Sequence, residues 1–289
     1  MPWKELHIIT TADKADAISD QLSNFGANAI TFRDGGDDPI FEPSLNTPRI
    51  WAKTIVIGLF DNTLDISPLL EQLSDYVVHM IDIPDEDWVR RSLDSFKPMK
   101  FGKKLWVCPS WQTPPDPDAI NLILDPGLAF GTGSHPTTSL CLAWLDENIQ
   151  SEQQVIDYGC GSGILGIAAL KLGAKSVFAI DHDIQALESA NHNSRQNDFY
   201  PPVFTTFLPE NMPDIKADLV IANILAQPLL ELAPKLASLT CFGGKILLSG
   251  ILYDQVEGIN NVYKNWYIMQ HPISKGEWVN LVGIRANNI

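Results

Sequence analysis

Hydrophobic positions in the first part of the chain alternate between strand-like and helix-like spacing. Residues 3–9 and 27–34 have the pattern of half-buried strands, and residues 13–26 between them repeat apolar side chains at helical spacing and end on glycine. After a loop rich in Gly, Pro and Asp, the same order returns. The second set of expected elements is a strand at 51–60, a helix at 66–76 and a strand at 77–83. The order βαββαβ predicts a small α+β ferredoxin-like domain over residues 1–84.

A second pattern runs from about residue 101 to the end, where apolar strand-like segments alternate with helix-like ones. Repeated βα units predict a mostly parallel sheet with helices on both faces. The last two strand-like segments are joined by the short turn KGE and predict a C-terminal antiparallel hairpin. Residues 101–289 are therefore expected to form an α/β, Rossmann-like domain, and residues 85–100 a linker helix and connector.

Composition narrows the class of protein. Hydrophobic residues make up 45% of the chain and charged residues 19%, as in ordinary globular proteins. No apolar run reaches the roughly 18–20 residues of a membrane span, and the N-terminus lacks the apolar core of a signal peptide. The four cysteines have no C-x-x-C spacing, which argues against a disulfide framework or a zinc site. We expect a cytoplasmic protein with no metal site and no contact with membranes.

The net charge of −15 bears on the kind of partner. Proteins that bind nucleic acid usually carry a basic patch, so direct binding to RNA or DNA is not expected. Residues 1–84 contain 13 acidic and 5 basic side chains, which is more than half of the excess acid. This charge favours a basic partner. Solubility alone would explain it equally well.

A glycine loop, VIDYGCGSG at residues 155–163, carries the first chemical signal. Gly159, Gly161 and Gly163 lie between a predicted strand and a predicted helix, where glycine permits a tight turn and close approach of a ligand. Several nucleotide cofactors bind such loops. Gly161, Gly163 and Gly166 also satisfy the dinucleotide pattern G-x-G-x-x-G, so an NAD-dependent oxidoreductase remains an alternative.

Two carboxylates near this loop favour S-adenosylmethionine over a dinucleotide. Asp157 precedes the first glycine and would repel a pyrophosphate, whereas it tolerates the ammonium and sulfonium of S-adenosylmethionine. Asp181 ends the next strand and can accept both ribose hydroxyls, although NAD enzymes share this feature. The structural alternatives are that Asp181 caps the next helix and that Asp157 orients loop amides.

Asn223 and the segment GTGSHPTT at 131–138 complete the expected site. Asn223 follows an apolar strand, and its amide oxygen could accept a hydrogen bond from a target amine. Thr137 or Thr138 could donate a hydroxyl to a cofactor carboxylate, and Pro136 suits a helix start. His135 could act as a base, but a loop histidine is more often structural, and its role stays open.

Three segments together resemble one family: DPGLAFGTGSHPTT at 125–138, VIDYGCGSGILGIAALKLGA at 155–174 and ANILAQPLLELAP at 222–234. They are similar to the ribosomal protein L-eleven methyltransferases, bacterial protein lysine methyltransferases that use S-adenosyl-L-methionine. The glycine loop is common to many methyltransferases, whereas GTGSHPTT paired with NILA is more specific. The resemblance covers essentially the whole chain.

The resemblance implies a class I seven-stranded methyltransferase domain preceded by a substrate-recognition domain. It implies methyl transfer to the N-terminal α-amine and lysine ε-amines of ribosomal protein L-eleven, up to trimethylation. The cofactor contacts carried over are Thr138, Gly159, Asp181 and Asn223. Asn223 would also position the amine, with no obligatory general base. We expect a monomer, although the sequence does not fix the oligomeric state.

Two further alternatives stay open. The chain could methylate a small molecule, in which case methyl transfer would survive deletion of residues 1–84, or it could methylate another protein. It could also be a non-catalytic ribosome-associated protein that retains the fold, although the intact loop, Asp181 and Asn223 disfavour this.

Overall fold

The computed structural model describes residues 3–36, 50–83, 96–125 and 133–287. The chain divides into two compact units, Met1–Arg91 and Ser92–Ile289. A linker helix was expected within residues 85–100. Residues 85–95 of that segment lie outside the described residues. Residues 126–132 of the glycine-rich loop before His135 also lie outside them.

The N-terminal unit is an antiparallel sheet with two helices. Its elements are β1 (Trp3–Thr11), α1 (Ala12–Asn24), β2 (Ala29–Asp34), β3 (Lys53–Asp61), α2 (Ser67–Gln72) and β4 (Val77–Ile83). The strands lie in the order β2-β3-β1-β4, and each neighbouring pair is antiparallel. Alternate residues of β1, Leu6 and Ile8, are fully buried with Ile18 and Leu22 of α1 in the core of this unit. Helix α2 ends at Gln72, earlier than the expected Tyr76, because the amides of Ser74 and Tyr76 donate to carbonyls only three residues back, in tight turns.

The C-terminal unit is built around an eight-stranded sheet. Its strands are β8 (Gln154–Tyr158), β9 (Ser176–Ile180), β10 (Phe204–Phe207), β11 (Ala217–Asn223), β12 (Thr240–Leu252), β13 (Tyr267–Met269), β14 (Ile273–Lys275) and β15 (Trp278–Arg285). The order is β10-β9-β8-β11-β12-β15-β13, and β14 pairs only with β15. The strands from β10 to β12 are parallel to their neighbours, and β15 is antiparallel to β12, β13 and β14.

Helices cover both faces of this sheet. They are α3 (Pro136–Asn148), α4 (Ile164–Lys171), α5 (Ile184–Gln196), α6 (Ala226–Leu239) and α7 (Val256–Tyr263). Consecutive residues of β8 serve opposite faces: Val155 belongs to the core beneath α3 and α4, and Ile156 to the core beneath α6 and α7. Central strands buried on both faces read as continuous apolar runs, which is why VIDY and LVIA stood out in the sequence.

A small three-stranded sheet precedes the large one. It consists of β5 (Met99–Phe101), β6 (Leu105–Cys108) and β7 (Ile120–Ile123). Phe96, at the end of the expected connector, is buried in the same core as α3 and α4. The described end of the connector therefore already packs as part of the C-terminal unit.

The C-terminal hairpin differs in detail from its sequence pattern. The segment expected as one strand before KGE is interrupted between Met269 and Ile273 and forms two short strands. Pro272 lies in the interruption and has no N–H to donate to a ladder. Gly276 turns the chain at a φ of 61° into β15, which lies between β12 and β13 and not at the outer edge.

Candidate functional site

The expected site residues gather at one edge of the large sheet, where its parallel strands end. Gly159 follows the end of β8, Asp181 follows β9 and Asn223 is the last residue of β11. Asn223 lies level with Ser249 in the neighbouring strand β12. In open α/β sheets, ligands bind outside the carboxyl ends of the strands, so this edge is the candidate site.

Left-handed backbone conformations shape the glycine loop. Gly159, Gly161 and Gly163 have φ values of 76°, 53° and 78°, a region that favours glycine. Several backbone amides of the loop already donate hydrogen bonds to backbone carbonyls. The amides of Gly159 and Cys160 donate to the carbonyl of Ile180 at 2.7 and 3.0 Å, and Gly163 donates to Cys160 at 2.8 Å.

Asp157 is the carboxylate beneath this loop, and it is 1% exposed. Its Oδ2 accepts a hydrogen bond of 2.9 Å from the amide of Gly166 in the first turn of α4. Helix α4 has Gly163 at its N-cap and no side-chain cap, so Asp157 supplies the acceptor that a capping residue would. Burial, opposed by the Gly166 hydrogen bond and assisted by nearby Asp181, raises the pKa of Asp157 to about 7.

This contact gives Asp157 a structural role, but the amide that it orients belongs to the first turn of α4 and not to the glycine loop. Gly166 is the third glycine of the G-x-G-x-x-G pattern, the one that serves close packing of the helix against the sheet. A Cβ at Gly166 would lie 2.7 Å from the side chain of Val177 in β9.

Asp181 holds the other end of the loop. It is 8% exposed, and its Oδ2 accepts from the amide of Gly161 at 2.9 Å. Its Oδ1 accepts from the amide of Asp183 at 3.1 Å. The structural alternative for Asp181 was that it caps the next helix, but another residue is the cap. Asp183 is the N-cap of α5 and accepts from Gln185 at 2.9 Å. Nδ1 of the exposed His182 also lies 3.4 Å from Oδ1. A carboxylate has about four acceptor positions and the two amides use one on each oxygen, so the other positions face this exposed ring or a ligand.

Asn223 and Thr138 are brought together although they are far apart in sequence. The side-chain Nδ2 of Asn223 donates to Oγ1 of Thr138 at 3.4 Å. Thr138 is fully buried in the first turn of α3, and Asn223 is half-buried. Because the amide uses its nitrogen toward Thr138, the carbonyl oxygen of Asn223 is the atom left to accept from an amine.

Ile224 connects this pair with the glycine loop. A Cβ at Gly159 would overlap the Ile224 side chain, and one at Gly250 would overlap the Ile224 backbone. Gly250 has a φ of 84°. The turn after Asn223 is therefore packed between Gly159 on one side and Gly250 on the other.

His135 has a structural role at the start of α3. It is the N-cap residue, and its Nδ1 lies 3.4 Å from the amide of Thr137, which donates to it, and 2.8 Å from the Thr137 hydroxyl. Its ring packs edge-on against Trp278 with 5.0 Å between ring centroids. Burial lowers the pKa of His135, which favours the neutral ring that can accept a hydrogen bond.

Two supporting residues were missed by sequence reasoning. Asn193 of α5 is buried, and its Nδ2 donates to the carbonyl of Ser162 in the glycine loop at 2.8 Å. Ser249 of β12 is fully buried, and its Oγ donates to the carbonyl of Thr137 at 3.2 Å. The sequence around Asn193 is polar throughout, so nothing in it distinguishes this asparagine from its neighbours. Ser249-Gly250 interrupts an apolar strand, and this polar pair could have been predicted to lie at the site.

The donor and acceptor set fits a nucleoside that carries an amino acid. Asp181 offers a carboxylate to paired hydroxyls, and the glycines permit close backbone approach. The described residues include no cluster of three or more His, Cys, Asp or Glu suited to a metal ion. No helix in the described parts of the chain is long and apolar enough to cross a membrane.

Comparisons with known proteins agree on one family. The family model described as ribosomal protein L11 methyltransferase (PrmA) matches residues 2–286. Ribosomal protein L11 methyltransferases of Shewanella sp. strain ANA-3 and Shewanella pealeana are 50% and 49% identical over 293 residues, which cover 99% of this chain and 100% of each relative. The crystal structure of a ribosomal protein L11 methylase from Lactobacillus delbrueckii subsp. bulgaricus is 35% identical with a TM-score of 0.61, and the match covers 66% of this chain and 100% of that one.

These relatives are methyltransferases, and the mixed α/β sheet described above is of the class I methyltransferase kind. The sequence resemblance is confirmed. The chain belongs to the ribosomal protein L11 methyltransferase family.

Proposed function

We propose that this chain transfers methyl groups from S-adenosyl-L-methionine to the N-terminal α-amine and lysine ε-amines of ribosomal protein L11, up to trimethylation. The observation that carries the proposal is the meeting of two features at one sheet edge. One is the glycine loop held by Asp181, and the other is the Asn223–Thr138 pair. Relatives about 50% identical over their full length are named ribosomal protein L11 methyltransferases, which supports the proposed substrate.

The methyl donor would be held by Thr138, Gly159, Asp181 and Asn223. The remaining acceptor positions of Asp181 suit the two ribose hydroxyls, and Gly159 lets the backbone approach the ligand. Thr138 presents its hydroxyl beside Asn223 at the first turn of α3. When bound, the donor supplies a methyl group on a positively charged sulfur.

Asn223 would position the amine that receives the methyl group. A free lysine has a pKa of about 10.4, so making it neutral near pH 7 costs about 4.6 kcal/mol. Desolvation and a nearby positive charge both lower the pKa of an amine. The carbonyl oxygen of Asn223 then accepts from the neutral amine and directs its lone pair at the methyl group. Water can take the proton, and His135 is engaged as a helix cap.

The N-terminal unit would recognise the substrate. Its βαββαβ order and antiparallel sheet β2-β3-β1-β4 support a ferredoxin-like type. We propose that residues 1–84 form this domain, that residues 85–100 form the linker and that residues 101–289 form the methyltransferase domain. Seven strands of its large sheet follow one another, and β14 is an eighth that pairs only with β15. The excess of acid in residues 1–84 suits a basic ribosomal protein. We propose a cytoplasmic monomer without direct contact to nucleic acid.

Membership of a methyltransferase family removes the oxidoreductase alternative. A small-molecule substrate is not favoured by any described feature.

The test is mass spectrometry of purified ribosomal protein L11 after incubation with the enzyme and S-adenosyl-L-methionine. The expected result is one added mass increment per methyl group at the N-terminus and at lysines, formed about 10- to 100-fold more slowly with Asn223→Ala and at the wild-type rate with Asn261→Ala. Asn261 is a suitable control because it is an exposed asparagine of the same unit. Unmodified L11 under conditions where the donor binds would contradict the proposed substrate.

A further inference from the structure

Two buried acids accept hydrogen bonds from backbone amides in the glycine loop and in the helix that follows it. Asp157 accepts from Gly166, beyond the loop, and Asp181 accepts from Gly161, within it, each at 2.9 Å. The side chains are 1% and 8% exposed. They also influence each other electrostatically, since Asp181 raises the pKa of Asp157.

The surroundings of Asp157 contain no compensating cation among the described residues. The titratable groups that face it are Asp181 after β9, Cys141 of α3 and Cys160 of the loop. Its neighbours across the sheet are Ala179 of β9 and Ile221 of β11, both fully buried. In the described part of the chain, no lysine, arginine or histidine forms an ion pair with it.

The protonation state of a buried carboxyl that lacks a neighbouring cation should change when a cation binds beside it. An opposite charge a few ångströms away favours the ionised form of an acid. The proposed donor brings a sulfonium to this loop. Methyl transfer breaks the bond between sulfur and the methyl carbon and leaves its electron pair on sulfur, so the product is a neutral thioether.

We propose that Asp157 is a specificity-determining residue that senses the charge on the donor's sulfur. It gives up its proton to the solvent when S-adenosylmethionine binds and regains one when the thioether product replaces it. The ionised carboxyl then favours the charged donor over the neutral product. Product release would be easier, which suits repeated methylation. The inference rests on the proposed function, because it needs the donor at this loop.

The experiment is calorimetric titration of the full chain with S-adenosylmethionine and, separately, S-adenosylhomocysteine. Each titration is run between pH 5.5 and 8 in two buffers with different heats of ionisation. The two ligands share the nucleoside and amino acid and differ in the methyl group and its charge. Proton release is read from the difference between buffers, so the wild-type chain alone gives an answer. Asp157→Asn is the matched variant, because its amide oxygen can still accept from Gly166.

In the wild type, donor binding should release more protons near pH 6 than product binding. The affinity ratio of donor to product should rise with pH by up to about tenfold per pH unit below pH 7, as linkage requires. In Asp157→Asn the ratio should not vary with pH beyond the ligands' own ionisation. Equal proton release for both ligands in the wild type would overturn the inference and leave the proposed function intact. Failure of both ligands to bind would overturn the proposed function as well.

Discussion

Asn223 donates a hydrogen bond from its side-chain amide to the hydroxyl of Thr138, which lies 85 positions earlier in the chain and 3.4 Å away. The contact joins the end of β11 to the first turn of α3. It engages the nitrogen of the amide and leaves the oxygen for an incoming amine. The orientation of Asn223 therefore depends on the segment GTGSHPTT, and this gives a physical reason for the pairing of that segment with NILA.

Replacing Asn223 with alanine should lower turnover about 10- to 100-fold, the scale of one lost orienting hydrogen bond of about 1.5–3 kcal/mol. At saturating donor, Thr138→Val should lower it less, because Asn223 itself remains. Thr138 is also a proposed donor contact, so this variant should bind the donor more weakly. Single-turnover methyl transfer measures both, with Asn261→Ala as the control. Full activity of Asn223→Ala would exclude its role in positioning the amine.

Asp181→Ala should weaken binding of S-adenosylmethionine by about 1.5–3 kcal/mol, the scale of hydrogen bonds to a charged group. Asp183→Ala is its matched control, because it removes the cap of α5 two positions away and costs about 1 kcal/mol of stability. Its donor affinity should remain within about twofold of the wild type, a difference of roughly 0.4 kcal/mol. Calorimetry on both variants measures the affinities, and equal losses of affinity would show that Asp181 acts only through folding.

The strands and helices that lead into the site could be predicted from sequence because their apolar periodicity is local. The glycine loop, Asp181 and Asn223 could be placed at strand ends for the same reason. The partners of their side chains could not. Periodicity does not say that Asp157 reaches Gly166, that Asp183 and not Asp181 caps α5, or that Ile224 packs between Gly159 and Gly250. These contacts depend on how separate elements meet in space.

Gly250→Ala should destabilise the fold by more than a comparable change elsewhere. At a φ of 84°, the new Cβ would meet the backbone of Ile224. Gly243→Ala is the control, since Gly243 has a φ of 76° and nothing within 4 Å of the added carbon. The control should cost about 1–2 kcal/mol from left-handed backbone alone, and Gly250→Ala about 1–3 kcal/mol more from overlap. Denaturant unfolding measures both. Equal losses would mean that the turn after Asn223 moves freely.

His135→Ala should reduce stability by about 1 kcal/mol through loss of the α3 cap, whereas His135→Asn should retain most of it. Both variants should keep the pH dependence of turnover seen in the wild type. His135 caps a helix with its neutral ring and takes no proton from the substrate in this account. Thermal unfolding and kcat measured between pH 6 and 9 provide the check. A pH limb lost in both variants would instead identify His135 as a base.

Asp157 should make the ligand-free protein less stable as pH rises. Its folded-state pKa is raised to about 7, above an unfolded value of about 3.9. The stability it contributes is fully present below the unfolded pKa and is lost as pH rises through about 7. Urea unfolding between pH 4 and 8.5 should therefore show a fall with pH in the wild type that is absent in Asp157→Asn. Parallel curves for the two proteins would contradict this prediction.

The most direct test of the central claim is methyl transfer in a mixture. Ribosomal proteins purified from cells lacking this enzyme are incubated with it and with methyl-labelled S-adenosylmethionine, and then separated. We predict label in ribosomal protein L11 alone, at its amines, and labelling that is about 10- to 100-fold slower with Asn223→Ala. Label confined to other ribosomal proteins, or to small molecules only, would contradict the account.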